Sequence, residues 1–311
     1  MFAAVRIVSL LPSATEIVCA LGARAELVGR SHECDFPPDV EGVPVLTSSR
    51  VGPLPSSQAI DTSVRDVLRD ALAIYQIDVE RLRESAPDVI VTQDLCEVCA
   101  VASSDGALCA LGIETLTLDA HSLDEIASSI LLLAARLRVS AQGQAVVAAM
   151  EAKITHARAR VHGLPPRRVF VSEWLDPPFA AGHWLPEMVD AAGGLDVLGQ
   201  AGQPSFPTSW ETVRRLEPEL VVLACCGFDV DRTVGEVRRA RVPNLGCPIV
   251  AVDANAYYSR PAPRVADGVM QLAHLFHPEV AADPQLPYHR LDGATNTVTD
   301  LLIDCPSSRV F

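Results

Sequence analysis

The sequence predicts an α/β protein of two lobes, each built on a central parallel sheet and joined by one long rigid helix. Three observations predict it. Strand-like apolar runs alternate with amphipathic stretches along most of the chain, the pattern of parallel strands covered by helices on both faces. One stretch of the first half recurs in the second. Between the halves lies an Ala-rich, Gly- and Pro-poor segment with apolar residues at helical spacing.

The first strand is read in "VRIVSLL", Val5 to Leu11, followed by a helix that Ser13 and Glu16 open as a capping box. Further strands are read in "DVIVT" from Asp88 and "TLTLD" from Thr115. In the second half they are read in "RRVFVS" from Arg167, "ELVVLAC" from Glu219 and "IVAVD" from Ile249. Val79–Ala86, Val230–Ala240 and Arg264–Phe276 are amphipathic and read as helices. The connecting segment starts at Ser140, carries Val147, Met150 and Ile154 on one helical face, and stops at Gly163-Leu164-Pro165-Pro166. A helix of about 20 residues there spans about 30 Å. The expected division is an N-terminal lobe over 1–139, a bridging helix over 140–164 and a C-terminal lobe over 165–277. A peripheral tail over 278–311 has no strong period.

The repeat pairs "ERLRESAPDVIVTQDLC", from Glu80, with "ETVRRLEPELVVLACCG", from Glu211. In each copy a Glu starts a short helix, a Pro follows, and an acidic residue leads into a strand. Cysteines then occupy the loop beyond: Cys96 and Cys99 in the first copy, Cys225 and Cys226 in the second. Two equivalent lobes explain the similarity.

The chain has 311 residues, 49% of them hydrophobic, enough for one large core or two moderate ones. It carries 25 Lys+Arg against 39 Asp+Glu and no dense basic run, which argues against nucleic acid as a partner. No apolar run reaches the roughly 18 to 20 residues of a membrane span. The longest, "SSILLLAARL" from Ser128, is short and flanked by charges, so no membrane insertion is expected. The N-terminus lacks a basic n-region, and Arg6 interrupts its apolar stretch. With nine cysteines read as thiols of a reducing compartment, the expected location is cytoplasmic. A periplasmic or cell-surface location would require a start upstream of this one.

Cys96-x-x-Cys99 has the spacing that lets two thiolates hold one metal ion, and Cys34, with His32 as a weaker addition, lies on a second loop. Zinc, Cu(I) or an iron–sulfur cluster would suit such a set. Zinc would bring the three sulfurs within about 4 Å of one another. Small buried side chains and a redox dithiol are the other readings of these thiols. Cys19, Cys109, Cys247 and Cys305 read as structural, and Cys225–Cys226 as core. His183 stands at a helix start, and Glu173 and Asp94 would make an acid/base pair in an enzyme, with a salt bridge from Glu173 to Arg260 as the plainer role. There is no P-loop, no Gly-rich dinucleotide fingerprint after the first strand and no nucleophile elbow, so no catalytic residue is assigned.

The stretches "RIVSLLPSATEIVCALG", "VGRSHECDFPPDV", "LRESAPDVIVT", "RRVFVSEWLDPPFAAG", "AAGG" and "YYSRPAPRVADGVMQLA" occur in one order and spacing. Together they resemble the class III substrate-binding proteins, particularly the cobalamin-binding receptors of vitamin B12 ABC importers. The resemblance covers roughly Arg6 to Phe276. It implies two lobes bridged by a rigid helix, with a corrinoid or another metal-containing small molecule held between them by loops at strand ends. It also implies one permease-docking glutamate per lobe, at Glu80 and Glu211, should an ABC permease be the partner. Pro12, Ser13, Glu33, Gln93, Asp94, Glu173, Trp174, Phe179, His183, Phe206, Tyr257, Tyr258 and Arg260 are the ligand-contact positions this suggests. The loops are richer in thiols and carboxylates than the family's aromatic-lined cleft. A second expectation is therefore a cytosolic metalloprotein or enzyme with Cys34, Cys96 and Cys99 around a metal or cluster.

Overall fold

The structure, a computed structural model, describes residues 5–51, 54–69, 74–94, 108, 111–292 and 298–300. The chain divides into two compact units. The first takes the chain to Pro55, Ala59–Ala149 and Pro261–Pro263; the second takes Ser56–Gln58, Met150–Arg260 and the chain from Arg264.

The first unit runs β1 (Ile7–Ser9), α1 (Pro12–Ala20), β2 (Leu27–Arg30), β3 (Thr47–Ser49) and α2 (Ser57–Arg69, whose first residues count with the second unit). It continues through β4 (Tyr75–Ile77), α3 (Val79–Glu84), β5 (Val89–Thr92), β6 (Glu114–Thr117) and α4 (Leu123–Arg136). Four strands form a parallel sheet in the order β2-β1-β5-β6, while β3 and β4 pair apart from it. Every residue of β1 and β5 is buried, as strands covered on both faces require. Val8, Leu10, Leu46, Leu82, Ile90 and Leu108 pack as one core cluster.

Helix α5 (Ser140–Val161) is the segment read from the sequence as the connector, and it passes from the first unit into the second at Ala149–Met150. Its buried positions Val147, Met150, Ile154, Ala157 and Val161 recur at three- and four-residue steps.

The second unit adds β7 (Arg167–Leu175), β8 (Pro178–Ala180), α6 (Leu185–Ala191), β9 (Gly194–Asp196), β10 (Phe206–Pro207), α7 (Trp210–Arg215) and β11 (Leu220–Leu223). Then follow α8 (Val230–Arg239), β12 (Ile249–Val252), α9 (Ala254–Tyr257), α10 (Val265–Phe276), β13 (Tyr288–Leu291) and β14 (Val298–Asp300). Its sheet has the order β10-β8-β7-β11-β12-β13-β14, with β9 paired to β7. β7, β11 and β12 are parallel, and the outer strands β8, β10, β13 and β14 run antiparallel.

Two sequence expectations change here. Ser13 and Glu16 do not cap α1: Leu11 is the extended N-cap, Pro12 opens the helix with a preset φ, and Ser13 and Glu16 are both buried inside it. The tail is not wholly peripheral either. Tyr288–Leu291 pairs antiparallel with β12, burying Tyr288 and Leu291 and covering what would be the free edge of the parallel strands.

The repeat is structural. Asp78 and Ser209 cap α3 and α7 through Arg81 N–H and Thr212 N–H, each at 3.1 Å. Leu82 and Val213 are the buried anchors of the two helices. Both helices end in a non-glycine residue at positive φ, Ala86 at 41° and Glu217 at 49°. An arginine at the start of the neighbouring strand then ties each helix end down. The Arg6 guanidinium donates to Ser85 O at 2.7 Å and its N–H to Asp88 at 2.8 Å. The Arg168 guanidinium donates to Leu216 O at 2.6 Å and its N–H to Glu219 at 2.8 Å. Each staple stands on charge-assisted bonds worth about 1–2 kcal/mol once solvent is counted. Arg6→Ala and Arg168→Ala should therefore each lower stability by about 1–2 kcal/mol, and the double variant by roughly their sum, because the staples share no partner. Urea unfolding of the four proteins checks this, and a coupling above about 0.5 kcal/mol would contradict it.

Candidate functional site

Parallel α/β sheets present their functional side chains on loops past the C-terminal strand ends. In the first unit the loop after β2 is built around buried Arg30, whose guanidinium donates to Cys34 O at 2.7 Å and Val43 O at 3.2 Å. His32 stands half-buried there. Its Nδ1 lies 2.7 Å from Thr47 Oγ1, its ring 5.2 Å from the Tyr75 ring, and its Nε2 3.3 Å from exposed Glu33. Cys34 is buried, and the Thr15 hydroxyl lies 3.0 Å from its Sγ, in donor position. After β5, Gln93 is buried and Asp94 N–H donates to Asp119 at 2.5 Å. Ser13 is also buried, and Pro12 is half-buried.

Cys96 and Cys99 lie outside the described residues. Among the described residues no three His, Cys, Asp or Glu side chains are grouped to hold a metal ion. Burial pushes the Cys19 thiol up to about 11 and moves those of Cys225 and Cys247 upward. Cys225 is fully buried and Cys226 half-buried, both just past the end of β11.

In the second unit, β7 breaks register with β8 between Ser172 and Trp174, and this irregularity re-aims Glu173 and Trp174. The Glu173 carboxylate accepts Gly182 N–H at 2.8 Å. Gly182 must be glycine, because a Cβ there would overlap the backbone of Gln203 and Ser205. The Trp174 indole donates to Ser57 O at 3.3 Å, and its ring lies 5.1 Å from Phe228. Ser57 in turn donates both N–H and hydroxyl to buried Glu236, at 2.6 and 2.7 Å. The Arg232 guanidinium lies 3.8 Å over the Phe228 ring. Asn255 N–H donates to Phe228 O at 3.0 Å and its side chain accepts Arg260 at 2.8 Å, joining the loops after β11 and β12. Arg264 stands 5.5 Å over the half-buried Tyr257 ring.

The remaining expected positions divide. Phe179 and Phe206 are half-buried on the paired strands β8 and β10. His183 precedes α6 rather than beginning it: Trp184 is the N-cap, and His183 sits at φ 49° with its N–H on Gln203 O. Tyr258 is a core side chain, fully buried with its hydroxyl 2.7 Å from Gln271. Glu80 and Glu211 are exposed in the first turns of α3 and α7. Sequence reasoning missed Phe228, Arg232, Arg264, Ser57 and Glu236. The signal for the first two was the Gly227-Phe228-Asp229 turn, in which Gly227 takes φ 73° and Asp229 caps α8.

The family described as periplasmic binding protein matches residues 7–241. The chain belongs to this family. A relative named vitamin B12-binding protein, from Yersinia pestis (strain Pestoides F), is 26% identical over 273 residues, covering 87% of this chain and 85% of its own length. Among solved folds, the periplasmic vitamin B12 binding protein of Vibrio cholerae aligns at TM-score 0.62 and 21% identity over 88% of this chain and 96% of its own. A periplasmic heme binding protein from Pseudomonas aeruginosa aligns at TM-score 0.67 and 19% identity, covering 91% and 97%. The two-lobe α/β family fold expected from the sequence is therefore the fold this chain has.

Asp196, at the end of β9, supplies a pH-dependent element of the second unit. Its Oδ1 accepts Leu198 N–H at 3.0 Å and Gly199 N–H at 2.7 Å. Burial outweighs those bonds and pushes its carboxyl up from 3.8 to about 6. The folded state thus prefers the neutral acid, so this stabilisation is complete below about pH 4 and is lost as pH rises towards 6–7. Asp196→Asn keeps the oxygen acceptor without the charge. It should be more stable than the parent at pH 7, on the order of 2–3 kcal/mol, and lose that advantage by pH 4. Urea midpoints at both pH values check this, and an advantage equal at both would refute it.

Proposed function

We propose that this protein is a non-catalytic receptor for a metal-containing macrocycle, a corrinoid or a haem-like chelate, serving an ABC permease. The observation that carries the reading is the aromatic cluster of the second unit. Trp174 and Phe228 pack on each other at the ends of β7 and β11, with Tyr257 following β12, in a chain of this family. Phe228 is buried and backs Trp174, so half-buried Trp174 and Tyr257 carry the accessible ring surface, and flat conjugated ligands gain from such faces. The vitamin B12 and heme binding named for its relatives is the chemistry this cluster suits. Trp174, Phe179, Tyr257 and Arg260 are the positions we assign to ligand contact in this unit, and Pro12, Glu33, Gln93 and Asp94 in the first.

Zinc or an iron–sulfur centre draws no support from relatives named for vitamin B12 and heme. The cytoplasmic location draws none from relatives named as periplasmic. Glu80 and Glu211 are the docking glutamates on this reading. Their mounting supports it: each stands exposed in the first turn of a helix capped and stapled in the same way.

Titration of the protein with cyanocobalamin and with haemin, followed by absorbance and tryptophan quenching, tests the reading. At least one should bind with micromolar or tighter Kd. Trp174→Ala should weaken it about tenfold or more, the loss of one stacking aromatic. No spectral change with either ligand at high micromolar concentration would overturn the proposal.

A further inference from the structure

We propose that Glu236, acting through Ser57, is the positioning residue that holds the Trp174 indole in the orientation in which ligand meets it. This rests on the macrocycle reading above, which makes Trp174 a contact. Trp174 is half-buried and stands where β7 breaks register with β8, so its side-chain torsions are left for its neighbours to set. Two groups set them, and both are controlled by α8. The Phe228 ring, just ahead of that helix, lies 5.1 Å from the indole and carries the Arg232 guanidinium at 3.8 Å. Apolar contact is non-directional, and alone it leaves the indole free to turn against that ring. The indole N–H removes this freedom by donating to Ser57 O at 3.3 Å.

A hydrogen bond orients a side chain only as well as its acceptor is fixed. Ser57 is buried, and both of its donors end on one oxygen: its N–H lies 2.6 Å and its hydroxyl 2.7 Å from Glu236 Oε1. These are the short distances of charge-assisted bonds. The other carboxylate oxygen takes the Arg239 guanidinium at 3.4 Å. Glu236 is 2% exposed, and a carboxylate so buried is costly unless its oxygens are taken up in this way. Arg232 and Glu236 stand one turn apart on α8. One helix therefore backs the indole through Phe228 and sets its rotation through Ser57. Ligand finds the aromatic surface already placed, and the ordering of a free side chain is not charged against binding.

The indole N–H resonances of the isotope-labelled protein report this orientation directly, and Trp174→Phe identifies the Trp174 signal among the three tryptophans. Glu236→Ala should move that signal and speed its exchange with solvent deuterium. Those of Trp184 and Trp210 should stay in place, which also shows that the variant folds. Glu236→Gln keeps an acceptor oxygen and should return the signal to its parent position. Affinity for whichever of cyanocobalamin and haemin the parent binds should fall about three- to tenfold in Glu236→Ala and recover in Glu236→Gln. In a Trp174→Phe background, which has no indole N–H, Glu236→Ala should change affinity by less than about twofold. Should Glu236→Ala not fold, Ser57→Ala, which removes one of the two bonds, is read by the same measures. An unmoved Trp174 signal, or an equal loss of affinity with and without the indole, would overturn the inference alone. Failure of the parent to bind either ligand would overturn the macrocycle reading and this inference with it.

Discussion

The burial of parallel strands on both faces is the constraint from which the rest of the structure follows. β1, β5, β11 and β12 have no exposed position. An unpaired polar side chain inside such a strand costs more than a hydrogen bond returns, so the strands are apolar except at the C-terminal ends of β1 and β5, where Ser9 and Thr92 stand and the Ser9 hydroxyl donates to Leu11 O. Chemistry-bearing residues are displaced to the first positions beyond. Thr92 ends β5 and Gln93 and Asp94 follow; Leu223 ends β11 and the cysteines and Phe228 follow; Val252 ends β12 and Asp253, Asn255 and Tyr257 follow. The same rule that fills the core thus collects the polar and aromatic groups at one end of each sheet.

Repetition of the stapled helix shows which parts of that design are fixed and which are open. Cap, buried anchor, positive-φ exit and arginine clasp recur in both units with different side chains: Asp78 for Ser209, Leu82 for Val213, Ala86 for Glu217. Where one role admits several residue types, the geometry rather than the identity is what each unit needs. The loops beyond the strands differ outright. The first unit presents Gln93 and Asp94, whereas the second presents Cys225, Cys226 and Phe228. The units share a frame and contribute different chemistry.

Fold was legible because its signals are local and periodic: apolar runs of strand length, and a connecting segment with helical spacing and a Gly-Pro stop. The antiparallel strands were not, because β8, β10 and β13 have two to four residues each, too few to show a period. The tail lacked a period, yet Tyr288 and Leu291 fall on the buried positions of a four-residue strand. Of the proposed contact positions, Trp174 was readable as an aromatic near the end of β7 and Tyr257 as one past the end of β12. Phe228 lies just past the repeat that ends at Gly227 and drew no reading, and Tyr258 was overread because sequence adjacency to Tyr257 says nothing of which side faces the core. Ser57 and Glu236, far apart in sequence, meet only through tertiary packing that no local pattern records.

An acid-rich chain takes up many of its carboxylates on backbone N–H groups. Asp78, Asp229 and Asp253 each accept an N–H at a helix start, where a carboxylate also meets the favourable end of the helix dipole. Glu236 is taken up by the N–H and hydroxyl of Ser57, and Asp88 and Glu219 by the backbone N–H groups of Arg6 and Arg168. Each such acid exerts its charge over a backbone dipole that already opposes it. Arg232 and Arg264 also rest against the faces of Phe228 and Tyr257, which attract the cation, and Asp253 lies within the electrostatic reach of Arg264. Net charge therefore describes the chain as a whole, while the partners of each charge decide the local sign.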